Sequence, residues 1–327
     1  MEALGPAPAI TAAQKMVVQV RSTRYLTSSI KEFELVALDG SPLPAFDAGA
    51  HIDVLTGTKF YRSYSLVNDP AERDRYVIAV KYEPAGKGGS QFMHDFVDAG
   101  ERLTILPPSN LFALHEGAGR SLLMAGGIGV TPIVCMVRRL QSQGADFEAH
   151  YLGGSLAEMA YHEELCALAP ARMRLHVTGS QLMDMRMLVP AFVPGTHLYV
   201  CGPKGMIDAV REAAADWPAD HVHFELFNSA LGPRVIAEPA EPFEVELARS
   251  GRVLVVSKDQ SLLQVLQAHG VDIGANCESG ICGICSVPLL AGEADHRDNV
   301  LSAQERAHRI QTCVSRARPG QRLVLDC

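Results

Sequence analysis

The 327-residue chain is poor in aromatic residues, which make up 6% of it, and it holds a single tryptophan, Trp217. No apolar run approaches the roughly 20 residues that crossing a bilayer takes, so no membrane partnership is expected. The start, Met1-Glu2-Ala3-Leu4-Gly5-Pro6, has no basic stretch ahead of an apolar one. No secretory signal is read there, and a cytoplasmic location is expected. Positive charge is not in excess: 29 basic against 37 acidic residues leave a net charge of −8, which argues against nucleic acid as a partner. Internal repeats and low-complexity tracts are missing. The twelve histidines show no metal-binding spacing and no Ser-His-Asp arrangement, and the G-x-G-x-x-G fingerprint is absent. What remains, 47% apolar and 20% charged, is the composition of an ordinary globular protein with room for two or three domains.

Cysteine is the informative presence. Cys277, Cys282, Cys285 and Cys313 reproduce the C-x4-C-x2-C…C spacing that holds a plant-type [2Fe–2S] cluster. Three thiolates on one short loop reach two irons only if the backbone turns tightly, and Gly280 and Gly283 supply that freedom. Structural zinc is the competing reading, but zinc sites usually pair their cysteines as two short knuckles, whereas here the division is three and one. A disulfide framework fits less well still, without a secretory signal. Of the other cysteines, Cys135 and Cys166 read as buried helical thiols and Cys327 has no assigned role.

The pattern changes twice along the chain. Short alternating stretches at 16–20, 33–38, 51–55, 61–66, 76–81 and 103–106, parted by turn residues, predict a six-stranded antiparallel β-barrel. A helix is predicted at 90–97 with Phe92, Phe96 and Val97 on one face and Ser90 as its cap. From residue 120, apolar runs at 121–125, 149–152, 174–177, 198–201 and 222–226 alternate with helical stretches, one beginning at Pro132 and one covering 204–215. Such alternation predicts an α/β doubly wound parallel sheet. A Pro- and Gly-rich stretch then reads as a linker. Beyond it come strands at 243–248 and 252–256, a helix at 261–268, the cysteine loop and a closing strand at 322–325.

Two glycine turns follow strands of the predicted parallel sheet: Gly126-Gly127-Ile128-Gly129-Val130-Thr131-Pro132 and Cys201-Gly202-Pro203-Lys204-Gly205. Ligands bind at the carboxyl ends of such strands, so both turns should face one crevice. In the barrel, Tyr61-Arg62-Ser63-Tyr64-Ser65 sets Arg62 and Tyr64 on one strand face. An arginine beside an aromatic ring suits a flavin nucleotide. Gly88-Gly89-Ser90 opens a helix downstream of Ala79-Val80-Lys81, a ready phosphate site.

In order and spacing, Arg62-Ser63-Tyr64-Ser65, Ala79-Val80-Lys81, Gly88-Gly89-Ser90, the Gly126 to Pro132 turn, Cys201-Gly202-Pro203, Glu225-Leu226-Phe227 and the four cluster cysteines resemble the phthalate dioxygenase reductase family of the ferredoxin–NADP reductase-like superfamily. The resemblance covers about residues 14 to 327. It implies a flavin-binding β-barrel at 14–117, a nicotinamide-nucleotide α/β domain at 118–228, a linker at 229–242 and a β-grasp ferredoxin domain at 243–327. Arg62, Ser63, Tyr64 and Ser65 would meet the flavin ring and ribityl chain, with Ala79, Val80 and Lys81 on the neighbouring strand, and Gly88, Gly89 and Ser90 would hold its phosphate. Gly127, Gly129, Thr131, Cys201, Gly202 and Pro203 would border the nicotinamide, and Phe227 would cover the flavin ring. Ser65, Thr131, Cys201 and Phe227 are the residues expected closest to hydride transfer.

The expected activity is that of an NADH-dependent reductase. Electrons pass from NADH through FMN to the [2Fe–2S] cluster and on to a Rieske-type terminal oxygenase of aromatic degradation or demethylation. FMN is favoured over FAD because one phosphate site and no adenine platform are evident. NADH is favoured over NADPH because 153–171 contains no Lys or Arg but holds Glu158, Glu163 and Glu164. Direct reduction of a small quinone and a permanently bound electron-transfer subunit are the alternatives. A monomer is expected. Arg306, Arg309, Arg316 and Arg318 flank Cys313 and read either as an oxygenase-docking patch or as a solvated face.

Overall fold

The computed structural model describes residues 15–57, 60–86, 88–179, 183–227, 241–258, 260–273, 280, 285–298 and 301–327. The chain divides into two compact units, Met1–Ala230 and Leu231–Cys327. Among the described residues no helix is long and apolar enough to cross a membrane.

The first unit opens with six antiparallel strands: β1 (Met16–Thr27), β2 (Ile30–Ala37), β3 (His51–Thr56), β4 (Phe60–Ser65), β5 (Tyr76–Lys81) and β6 (Arg102–Ile105), with α1 (Gly89–Phe96) before β6. Their order is β4-β3-β6-β1-β2-β5. A bridge between Leu66 and Ile78, with Val67 N–H donating to Val77 O at 2.8 Å, joins the two edges and closes the barrel. Inward residues such as Phe33, Leu35, Ile52, Val54 and Ile78 are wholly buried, each worth about 1.5–3 kcal/mol in area removed from water. β1 runs seven residues past its expected end because Thr27 Oγ1 accepts from the N–H groups of Ser29 and Ile30 and tightens a hairpin that propensity does not announce.

α1 departs from expectation in two ways. Its N-cap is Gly88, at φ 86, a conformation a Cβ disfavours. Ser90 lies inside the helix, its Oγ accepting from Glu83 N–H at 3.0 Å, so it braces the preceding loop instead of capping. The buried face carries Met93 and, just past the end, Val97, whereas Phe96 is 71% exposed. Buried Lys31 secures the far end, its Nζ donating to Val97 O at 2.8 Å and to Asp98 Oδ1 at 2.9 Å.

Next come β7 (Arg120–Gly126), α2 (Val130–Ser142), β8 (Phe147–Gly153), α3 (His162–Leu168), β9 (Met173–Val177), β10 (Thr196–Gly202), α4 (Lys204–Ala213) and β11 (Val222–Leu226). All strand pairs are parallel, in the order β11-β10-β7-β8-β9. Strand order reverses between β7 and β10, which is the switch point of a doubly wound sheet. Alternation along β7 divides the core: Leu123 and Ala125 pack on the α2 side, Leu122 and Met124 on the α4 side. α2 begins two residues ahead of Pro132, which sits in the first turn where its missing N–H costs nothing. Tyr161 ties this sheet to the barrel, its hydroxyl donating to Glu32 Oε2 at 2.6 Å.

The second unit holds β12 (Phe243–Leu247), β13 (Arg252–Val256), α5 (Leu262–Ala268), β14 (Ser286–Ala291), β15 (Ala294–Asp295), α6 (Ala303–Arg306), β16 (Arg309–Gln311), β17 (Arg316–Ala317) and β18 (Leu323–Leu325). A mixed sheet ordered β13-β12-β18-β14-β16 packs against α5, the β-grasp arrangement. Ser261 and Gln264 form a capping box that starts α5.

Candidate functional site

Both glycine turns lie at the carboxyl ends of β7 and β10, beside the switch point. They touch. A Cβ on Gly129 would stand 2.3 Å from Cys201 O, and one on Gly126 would meet Met206 Sδ at 2.6 Å and Pro203 Cδ at 2.8 Å. Gly127 adopts φ 55, and Tyr151 hydroxyl donates to its carbonyl at 3.2 Å, fixing the turn from below. Thr131 is buried, its Oγ1 donating to Ile128 O at 3.1 Å. Gly202 is buried and Pro203 caps α4.

The end of β4 meets this crevice. Ser65 is 4% exposed and hydrogen-bonds to Glu225, whose β11 position pairs with Cys201. Cys201 Sγ lies 3.9 Å from Glu225 Oε2. Burial pushes the Glu225 carboxyl up to about 8, with the Ser65 and Cys201 hydrogen bonds opposing part of that rise. Burial and the nearby carboxyl raise the Cys201 thiol well above its usual range, so it is no nucleophile at neutral pH. Phe227, partly buried, packs against the same core two residues beyond Glu225. Ser65, Glu225 and Cys201 therefore form one polar line between barrel and sheet, and Glu225 is the member that sequence reasoning did not single out.

A second cradle lies on the barrel. Arg62 faces the α1 start so closely that a Cβ on Gly89 would fall 2.8 Å from its Cγ. A cation, a glycine pair and the unbonded N–H groups of a helix's first turn make an anion site, which fits the phosphate of a flavin mononucleotide. Arg62 and Tyr64 share a strand face opposite Val54 and Ile52, and burial raises the Tyr64 hydroxyl far above its usual range, keeping it a donor. Ala79 and Val80 are buried, and β5 also runs against the Gly127–Gly129 turn. Of the other expected flavin contacts, Ser63 is exposed and donates to Asp53 Oδ1 at 2.5 Å, Lys81 is exposed, and Ser90 Oγ is engaged with Glu83 N–H.

Of the cluster cysteines, Cys277 and Cys282 lie outside the described residues. Cys285 and Cys313 are both buried in the core of the second unit. Ser286 pairs with Gln311 across β14 and β16, and Thr312 donates twice to Cys285 O, from its N–H at 3.2 Å and its Oγ1 at 2.9 Å. These bonds bring the fourth cysteine to the third. Gly280, at φ 75, is packed against Val314 and Asp298, leaving no room for a side chain.

The four arginines do not share one exposed face, because Arg316 is buried. Arg316 is 6% exposed, donates to Gln260 O at 2.8 Å and Ser257 O at 2.9 Å, and covers the Phe243 ring. Arg309 donates to Ser286 Oγ and Arg306 to Asp298 O, while Arg318 lies 3.4 Å from Glu293. A guanidinium's five donors suit it to collecting loop carbonyls, and most of this group serves folding. Cys135 is buried, and Cys166 and Cys327 are partly so.

Residues 245–318, which include all four cluster cysteines, match the 2Fe-2S iron-sulfur cluster binding domain, and 102–223 match the N-terminal domain of dimethylamine monooxygenase subunit DmmA-like proteins. The chain is 41% identical over 324 residues to the tert-butanol monooxygenase / tert-amyl alcohol desaturase reductase subunit of Aquincola tertiaricarbonis, covering 94% of this chain and 95% of that one. It is 40% identical over 311 residues to tetrachlorobenzoquinone reductase of Sphingobium chlorophenolicum, covering 92% and 94%. The solved structure of phthalate dioxygenase reductase, described as modular for electron transfer from pyridine nucleotides to [2Fe-2S], superposes with a TM-score of 0.70 at 37% identity over 96% of this chain and 98% of that one. Barrel, doubly wound sheet and β-grasp unit in this order define an iron–sulfur electron-transfer oxidoreductase. The chain belongs to the phthalate dioxygenase reductase-like family of oxygenase reductase subunits.

Proposed function

We propose that the protein draws electrons from NADH at the β7–β10 crevice, passes them through FMN on the barrel to a [2Fe–2S] cluster at Cys277, Cys282, Cys285 and Cys313, and delivers them to a Rieske-type terminal oxygenase. The single observation that carries this is the Ser65–Glu225–Cys201 line, where the barrel's flavin-side strand meets both glycine turns of the nucleotide sheet. The flavin, when bound, accepts a hydride and releases its two electrons singly, which is the step that couples a nicotinamide to a one-electron centre. Arg62, Gly88 and Gly89 hold its phosphate; Tyr64, Ser65 and Phe227 border its ring; Gly127, Gly129, Thr131, Cys201, Gly202 and Pro203 shape the nicotinamide side. Neutral Glu225 presents a donor at the hydride end. The functional divisions proposed are 14–117, 118–228 and 243–327, joined by 229–242.

The test is the released cofactor and the direction of flow. Mass analysis should find FMN, and the purified protein with NADH should reduce cytochrome c through its iron–sulfur centre. An adenine-containing flavin overturns the FMN assignment. The relative named as a tetrachlorobenzoquinone reductase favours one other reading, direct quinone reduction. Rapid quinone turnover without any protein partner would select it.

NADH should be preferred over NADPH by at least about tenfold in kcat/KM, since an unpaired phosphate dianion beside carboxylates loses hydration and meets repulsion. At the end of β8, Glu158 Oε2 stands 3.0 Å from the position of a Cβ on Gly154. Glu164 is turned away, paired with Arg138. Glu158 is thus a carboxylate placed to meet a 2′-phosphate, and equal kcat/KM for the two nucleotides would refute the preference.

A further inference from the structure

Gln311 is wholly buried next to a cluster cysteine, and its amide is half used. Its Oε1 lies 2.9 Å from Cys285 Sγ, while its Nε2 is buried with no hydrogen-bond partner among the described residues. An oxygen facing sulfur is tolerable only while Cys285 keeps its thiol proton. Cluster ligation requires the thiolate, which has no proton to give, and two lone-pair-bearing atoms would then face each other in a dry core. A half-turn of the terminal amide exchanges oxygen and nitrogen at almost no change in shape. It brings the orphaned N–H to the sulfur and takes the amide oxygen away from it.

The backbone holds Gln311 to this task. Its strand pairing with Ser286 and the two hydrogen bonds from Thr312 to Cys285 O fix its Cα beside the ligand. We propose that Gln311 donates an Nε2–H···Sγ hydrogen bond to ligated Cys285 and holds the cluster's reduction potential up. The proposal rests on the cluster assignment above. Hydrogen bonds to ligand sulfurs withdraw charge from the iron and are one of the levers that set iron–sulfur potentials. Gln311 is a positioning and tuning residue: it binds no substrate and carries no electron.

The test uses the full-length protein with its cofactors. Iron and acid-labile sulfide are measured first; wild type without iron overturns the cluster assignment and the role of Gln311 together. Wild type labelled with side-chain 15N glutamine is then reduced and examined by pulsed EPR. A glutamine 15N coupling to the cluster supports the hydrogen bond, and its absence overturns it without recourse to any variant. In parallel, Gln311→Met and Gln311→Leu keep most of the volume but offer no donor. Each should lower the equilibrium constant for cluster reduction about tenfold, a midpoint shift of about 59 mV to more negative potential. Unchanged potentials in cluster-replete variants overturn the proposal, whatever happens to thermal stability or turnover.

Discussion

Replacing Cys313 with serine should strip the iron–sulfur absorption from the visible spectrum and cut electron delivery to cytochrome c or an oxygenase by roughly a hundredfold or more, because the one-electron relay is lost. NADH-driven reduction of ferricyanide should persist, since Ser65, Glu225, Cys201 and both glycine turns belong to the other compact unit. Serine fits the space, so folding is not the issue. Thr312 would still hold the turn through Cys285 O, and Leu263 N–H would still donate to Thr312 O at 2.9 Å. What changes is one ligand atom, from a soft sulfur that iron prefers to a hydroxyl that ionises reluctantly. A variant that retains full cluster absorption and full delivery would show that Cys313 is not the fourth ligand.

Much of the architecture was legible because period and punctuation agree. β5 and β11 occupy the residues expected of them, 76–81 and 222–226, or nearly so for the neighbouring strands, since a parallel or barrel core strand is a short apolar run bounded by turn residues. Both glycine turns were readable for the same reason. Gly126, Gly129 and Gly202 there answer close approaches, Gly129 against Cys201 O being the tightest, and Gly127 takes a positive φ. Elements whose existence depends on distant partners were not readable. β15, β16 and β17 are two or three residues long, and β14 contains Pro288; Thr312 and Arg309 tie β16 to the start of β14, which local sequence does not encode.

Side-chain roles were harder still. Arg316 looked like surface because arginine usually is, yet three carbonyls and the Phe243 ring draw it inside. Ser90 looked like a cap because it follows two glycines, but Gly88 takes the left-handed turn and the cap position with it. Glu225 stood in plain view within Glu225-Leu226-Phe227. Nothing in a strand's alternation says that a carboxylate will face a barrel serine and a buried thiol from another strand. The register of β10 against β11, which sets Cys201 opposite Glu225, is the missing fact.

That buried carboxyl should write itself into the pH dependence of both stability and reduction. Burial raises Glu225 from the usual carboxyl range to about 8, so the folded protein disfavours its ionised form. Below about pH 4.5 the group is protonated in folded and unfolded chains alike, and its contribution is fully present. As pH rises the unfolded chain ionises first, and stability is lost progressively until the folded group also ionises near pH 8. Linkage sets the slope at about 1.4 kcal/mol per pH unit across that window, on the order of 5 kcal/mol in all before any relaxation. Glu225→Gln keeps the shape and cannot ionise. Its unfolding free energy, measured by denaturant titration at fixed FMN, should gain on wild type steadily from pH 4.5 to 8 and run parallel outside those limits. NADH-driven flavin reduction in wild type should fall as pH passes about 8, where the carboxyl stops being a donor, and the glutamine variant should lose that inflection. A constant difference between the two proteins from pH 5 to 9 would mean that Glu225 is ionised throughout, and the Ser65–Glu225–Cys201 line would then be an anionic site with the opposite preference for its ligands.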